Sequence, residues 1–373
     1  MNRPSGERKT LPHLDPSRLD KAYSFLEECV QTGKIPGAAI LAARYGVPLK
    51  TRCFGRMHPY PDSPSVQPDT IFQVASVTKP VTVTAAMLLV ERGKLLLDQT
   101  VASIIPEFGN QGEENIQIRH LMTHTSGLPD HLPENIELRK QHAPLKEFIR
   151  RICDVRPDFP PGTNIQYQSC GFAILGEIIE RVGRVSLPDF LRREVFRPLG
   201  MKDTALGAQS LPEGRISCVN VGEALQEADW WWNSSYWWHL GAPWGGMFST
   251  VGDIFRFCQM FLNDGELNGV RVLSPATVRM MTTDQIAPMS AISQSGKRGR
   301  WWGLGWRLYP ARGWSYLGDR LSPGSYGHGG DTGVVAWVDP VREIVCVLFT
   351  NQPSASSEKI LGRGSNLVAA SAL

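Results

Sequence analysis

Ser76-Val77-Thr78-Lys79 sets a hydroxyl and an amine three residues apart at the start of a stretch patterned for a long helix. Val74 and Ala75 lead in and Pro80 follows. Val83, Met87, Leu88 and Val90 then form an apolar series that runs to Gly93, a glycine suited to a helix C-cap. Residues i and i+3 of a helix share a face, so Lys79 can reach the Ser76 hydroxyl. The helix N-terminus adds free N–H groups and partial positive charge, which favours a reaction that develops an oxyanion there. A serine hydroxyl is a weak nucleophile until a base removes its proton, and a desolvated lysine is such a base. The same four residues also fit a capping serine followed by a solvated lysine, so the rest of the chain must decide.

The 373 residues are 42% hydrophobic and 20% charged, an ordinary globular composition with material for a large core. Net charge is +3 and the basic residues are scattered. Lys297, Arg298 and Arg300 form the densest basic cluster, which reads as a solvated loop and not as a nucleic-acid footprint. No run approaches the roughly 18 apolar residues of a membrane span. Met1 to Pro12 is polar and charged, without the apolar segment of a secretion signal. The seven cysteines (Cys29, Cys53, Cys153, Cys170, Cys218, Cys258 and Cys346) are widely spaced and form no C-x-x-C pair. A disulfide framework or a zinc site is therefore not expected, and a reducing cytoplasm is the expected compartment.

Asp15-Pro16 reads as an N-cap followed by proline at the first helical position, with Leu19, Tyr23, Leu26 and Val30 on one face and Gly33 at the end. Residues 38–44 and 48–55 read as a hairpin around Gly46. Helices follow at 170–182, closed by Gly183, and from Ser186 to Phe196. Thr250 to Asp253 resembles a capping box before Ile254 to Leu262, and Ser274-Pro275 opens a helix to Met281. Two strands, 333–338 and 343–350, join across Asp339-Pro340, and the tail after Asn351 reads as partly disordered. Strands at both chain ends with helices between them predict a mixed α/β (α+β) fold. In it, one antiparallel sheet is built from both termini, flanked by helices, with a mainly helical lobe inserted. The expected division is 1–95 and 235–373 for the sheet lobe and 96–234 for the helical lobe, with the site at their interface.

Two further segments bear on Ser76. Tyr167-Gln168-Ser169 follows the loop Phe159 to Thr163 and precedes a helix, and Gly327-His328-Gly329-Gly330 precedes the 333–338 strand. With these, the chain resembles the serine β-lactamase and penicillin-binding-protein superfamily, in particular its esterase-like members related to class C β-lactamases (family VIII carboxylesterases). The S-x-x-K spelling is a known signature of penicillin-recognising enzymes. Ile118 to Leu128, Pro198-Leu199-Gly200-Met201 and Trp244-Gly245-Gly246-Met247 extend the likeness over roughly residues 35–350.

The resemblance implies a β-lactamase/transpeptidase-like fold with Ser76 as the acylated nucleophile and Lys79 and Tyr167 as its acid–base partners. It implies an oxyanion hole from the backbone N–H groups of Ser76 and Asp331, with His328, Gly329, Gly330 and Ser169 lining the substrate. No metal or organic cofactor belongs to this chemistry.

Two departures steer the substrate. Ser169 stands where the family's tyrosine motif carries asparagine, which shortens the reach toward a substrate amide. His328 stands where β-lactamases and D,D-peptidases carry a lysine, and a histidine is mostly neutral near pH 7. Both point to uncharged esters with small to medium hydrophobic acyl groups as the small-molecule substrate. Amide chemistry of the same superfamily (β-lactamase, D-aminopeptidase or D,D-peptidase) and a non-catalytic ligand-binding role stand as alternatives. The sequence leaves the oligomeric state open.

Competing motifs are weak. The chain has no G-x-S-x-G, and His120 and His124 enclose Leu121 and Met122 where a zinc-protease helix needs a glutamate. All 11 tryptophans follow residue 229, and Trp230, Trp231, Trp232, Trp237, Trp238 and Trp244 cluster in one stretch. Such a cluster fits an aromatic wall over an acyl pocket, and equally interlobe packing or an exposed dimerisation patch.

Overall fold

The computed structural model describes residues 14–372 except 61, 110, 111, 113 and 311–314. The N-terminal segment expected to lack a signal, and Trp314, lie outside the described residues. The main sheet runs in the order Val47–Pro48, Gly37–Arg44, Ile344–Thr350, Val334–Asp339, Tyr326–Gly330, Arg307–Leu308, with Arg52–Gly55 also paired to Gly37–Arg44. Every pairing is antiparallel, and Ala38 to Arg44 lie opposite Thr350 to Ile344. The sheet from both chain ends is therefore present, as expected.

Period-two alternation divides these strands between two cores. Ala38, Ile40, Ala42, Val335, Trp337, Cys346 and Leu348 face the helices Pro16–Gln31 and Ser354–Ala370. Ala39, Leu41, Ala43, Val334, Ala336, Val345 and Val347 face the helix Val251–Leu262 and the rest of the molecule. With both faces covered, the central strands Gly37–Arg44, Val334–Asp339 and Ile344–Thr350 are buried along their whole length and apolar except at their last residues.

Several local expectations are revised. Residues 48–55 split into Val47–Pro48 and Arg52–Gly55, because the register against Gly37–Arg44 shifts by one residue between them: Pro48 lies opposite Ala43 but Arg52 opposite Ile40. Arg184, at φ 53°, takes the left-handed C-cap after the Cys170–Gly183 helix that Gly183 was expected to close. The tail after Asn351 is ordered: Ser354–Ala370 is a helix that buries Ile360, Leu361, Val368 and Ala369, and Trp337 donates to Ser365 Oγ at 3.0 Å. Lys297 is buried, and its ammonium donates to the Ala287 carbonyl at 2.9 Å, so the basic cluster is not a wholly solvated loop.

A small second sheet positions the Ser76 segment. Phe72–Gln73 pairs with Met247–Ser249, which pairs in turn with Ala205–Leu206. The Val74 N–H donates to the Met247 carbonyl at 3.0 Å, so the segments preceding Ser76 and following Trp244 are laced together. Beyond this, a single 3₁₀ turn, Ala75–Val77, feeds the helix Thr78–Glu91. Thr78 to Leu89 is buried on every side, which is why this helix carries no polar stripe. It packs against Cys170–Gly183, the helix that begins just after Tyr167. Among the described residues, no helix is long and apolar enough to cross a membrane.

Candidate active site

Ser76 lies in the 3₁₀ turn, and Lys79 follows in the first turn of the buried helix, where the three-residue spacing turns both side chains to one side. Lys79 Nζ donates to Ser76 Oγ at 3.0 Å and to the Trp244 carbonyl at 3.1 Å. Lys79 has no solvent exposure, and burial brings its ammonium down to about 8 against the partial opposition of Asp130 and Asp331. Ala75, just before the serine, has a φ of 40° although it carries a side chain, a conformation held only where surrounding structure enforces it.

Tyr167 approaches from the segment that leads into the Cys170–Gly183 helix and is hydrogen-bonded to Ser76. Burial pushes its phenol well above the usual value, so it rests as a neutral hydroxyl. The Lys79 ammonium lies 4.6 Å from the Tyr167 ring centre. Tyr167 is held from behind by His124, stacked at 4.5 Å, and His124 contacts Trp302 at 4.1 Å. His124 is itself at φ 61°, and its Nδ1 accepts the Gln168 N–H at 3.0 Å. Gln168 reaches on to the His120 and Leu121 carbonyls, each at 3.0 Å. Of the two histidines, His124 thus props the tyrosine loop with its ring, while the His120 ring accepts the Gln117 N–H at 3.1 Å at the start of its own helix. Among the described residues, no group of three or more His, Cys, Asp or Glu is placed to hold a metal.

On the opposite side, Tyr326–Gly330 is covered by Arg307–Leu308 only at Tyr326 and Gly327, so His328 to Gly330 form an open edge. A Cβ on Gly330 would sit 2.6 Å from the Val74 carbonyl oxygen and 3.0 Å from Ala75 Cβ. Only glycine lets the strand approach the Ser76 turn this closely. A Cβ on Gly329 would meet the Tyr316 ring at 2.8 Å. The N–H groups of Ser76 and Asp331 have no acceptor among the described residues.

One expected substrate contact is placed differently. His328 is fully buried and lines neither cavity beside Ser76. Its Nδ1 donates to the Gly329 carbonyl at 2.7 Å, and its ring stands 5.9 Å from Trp302, on the inner side of the strand. Burial lowers it to about 3, so it is neutral. Ser169 lines one of those cavities and turns its hydroxyl to Asp130, donating at 2.7 Å, while its N–H and that of Cys170 donate to the Asp130 carbonyl. Asp130 was not anticipated from the sequence. It lies just beyond the quoted Ile118 to Leu128 stretch, and the proximity of that stretch to Tyr167-Gln168-Ser169 was its only available signal.

Ser76 opens onto two cavities. One, of about 280 Å³, is bounded by Tyr316, Gly329, Gly330 and the C-terminal helix residues Ser354, Glu358 and Leu361. The other, of about 310 Å³, is walled by Trp231, Trp232, Trp237 and Trp244, with Arg139 among its lining residues. Asp130, Tyr167 and Asp331 border both. Four of the six clustered tryptophans therefore do form a cavity wall.

An antiparallel sheet from both chain ends, an S-x-x-K helix and a glycine edge strand facing it define a β-lactamase/transpeptidase-like protein. The comparisons agree. The Beta-lactamase family matches residues 24–370, and the chain belongs to that family, a superfamily of serine hydrolases that includes esterases and β-lactamases. It is 32% identical to penicillin-binding protein 4 of Amycolatopsis lactamdurans over 333 residues, covering 87% of this chain and 82% of that protein. It is 34% identical to esterase EstB of Burkholderia gladioli over 204 residues, half of each chain. In structure it is similar to EstCE1, described as a hydrolase with promiscuous acyltransferase activity, with a TM-score of 0.76 at 21% identity over 95% of this chain and 98% of that one.

Proposed function

We propose that this protein is a serine esterase that works through an acyl-enzyme on carboxylic esters with small to medium hydrophobic acyl groups. The observation that carries the reading is the Lys79 amine, itself without solvent exposure, 3.0 Å from Ser76 Oγ. Its burial makes the neutral amine accessible near neutral pH, while Tyr167, pushed the other way, stays protonated. Opposed shifts of this kind divide labour between a base and an acid. Lys79 takes the Ser76 proton as Oγ attacks the ester carbonyl, and the N–H groups of Ser76 and Asp331 receive the oxyanion. Tyr167, recharged by Lys79, protonates the departing alcohol. Water then attacks the acyl-enzyme by the same route reversed.

Ester over amide chemistry is supported by the neutral, inward-facing His328, which offers a substrate carboxylate no cation at the glycine strand. It is also supported by Ser169, whose hydroxyl is committed to Asp130. The tryptophan wall supports an apolar acyl group.

The test is hydrolysis of p-nitrophenyl butyrate by the wild type and by Ser76→Ala, with intact-mass detection of the acyl adduct. Activity and adduct both vanish in the variant if Ser76 is the nucleophile; activity that survives overturns the reading. A chromogenic cephalosporin cleaved faster than the ester would shift the assignment to amide chemistry.

A further inference from the structure

Arg139 lies on the short helix Asn135–Lys140 and lines the tryptophan-walled cavity, yet it is only 4% exposed. Its guanidinium carbon sits 4.2 Å from the Trp237 ring centre and 5.1 Å from that of Trp231. Among the described residues the side chain has no carboxylate partner, and its Nε has no acceptor. Trp231 borders the same cavity, and its buried Nε1–H likewise has no acceptor. Neighbouring carboxylates are engaged elsewhere, Glu137 with Lys140 and Asp229 with His142, and the neutral Tyr236 donates to the Ala143 carbonyl.

A buried cation without a counter-charge is costly, and aromatic faces offset only part of that cost. Arg139 lines the cavity without a counter-charge, and a guanidinium fork fits a carboxylate bidentately. We propose that Arg139 binds a carboxylate of the substrate, so that the preferred ester carries an anionic group on its acyl chain, remote from the scissile carbonyl. The proposal rests on the acyl-enzyme reading for the position of that carbonyl. Asp130 and Asp331 border the cavity where Ser76 opens into it, so an anion is repelled at that end and accepted only at the Arg139 end. The substrate class is then the half ester of a dicarboxylic acid, with its methylene chain against the tryptophans.

Calorimetric titration of the Ser76→Ala protein with monomethyl adipate and with dimethyl adipate separates this from the catalytic reading, because no turnover is needed. The half ester is expected to bind at least about tenfold more tightly than the neutral diester. Arg139→Met in the same background should weaken the half ester by about 10- to 100-fold, with Arg139→Lys retaining part of the preference. Equal binding of the two esters, binding of neither, or a half-ester preference that persists in Arg139→Met overturns the proposal. The ester comparison in Ser76→Ala decides the matter even if the Arg139 variants do not fold. Loss of the catalytic reading would instead show as p-nitrophenyl butyrate hydrolysis that is absent or independent of Ser76.

Discussion

Lys79 Nζ lies 3.0 Å from Ser76 Oγ with no solvent exposure, and both properties follow from a helix that is buried on all sides from its first turn. The spacing supplies the contact, and the burial lets the amine lose its proton at a useful pH.

The pH dependence of the reaction should follow Lys79. With its folded value brought down to about 8, kcat/KM for p-nitrophenyl butyrate should rise with pH through an acid limb near 8. Lys79→Met should remove the limb with most of the activity. Stability provides an independent check. Between about 8 and the ordinary 10.5, the unfolded chain holds a proton that the folded chain has lost, so the wild type gains stability as pH rises. Relative to Lys79→Met, that gain should be on the order of 3 kcal/mol across this window in denaturant titrations, with no change between the two below it.

Asp130 opposes the lowering of Lys79, so neutralising it should extend the effect. Asp130→Asn is expected to move the acid limb down by about half to one pH unit, read from the same rate profile. A limb that stays in place would mean that solvent screens this carboxylate from Lys79.

Gly330→Ala tests the edge strand. The new methyl would fall 2.6 Å from the Val74 carbonyl and 3.0 Å from Ala75 Cβ, so the strand must move off the Ser76 turn. Misplacing one oxyanion donor should lower kcat by about 10²- to 10³-fold. Thermal melts should show a modest loss, about 1–3 kcal/mol, as expected for local overpacking.

Truncation after Asn351 should abolish folding. The helix Ser354–Ala370 buries Ile360, Leu361, Val368 and Ala369 against the sheet. Each large apolar side chain is worth roughly 1.5–3 kcal/mol when buried, against a total stability of about 5–15 kcal/mol for a typical domain. Loss of cooperative unfolding by circular dichroism is the expected result, and a sharp transition in the truncated chain would contradict the packing role.

How much was legible depends on how local the cause is. Asp15-Pro16, Ser274-Pro275 and Thr250 announced their helices because each cap forms within one turn. The break after Pro48 and the ordered tail were misjudged. One follows from a one-residue register shift against a partner strand that had to be known, and the other from a sheet face that only long-range pairing creates.

The sequence by itself determined the Ser76–Lys79 spacing, the glycines that allow the edge strand its close approach, and the antiparallel sheet from both ends. These depend on helix periodicity, the absence of a Cβ and alternation along a strand. Only the tertiary structure decided that His328 faces inward, that Ser169 serves Asp130, and that Arg139 is left among tryptophans without a counter-charge. Those outcomes depend on which groups from distant parts of the chain share one desolvated volume, and no local pattern in the chain specifies that.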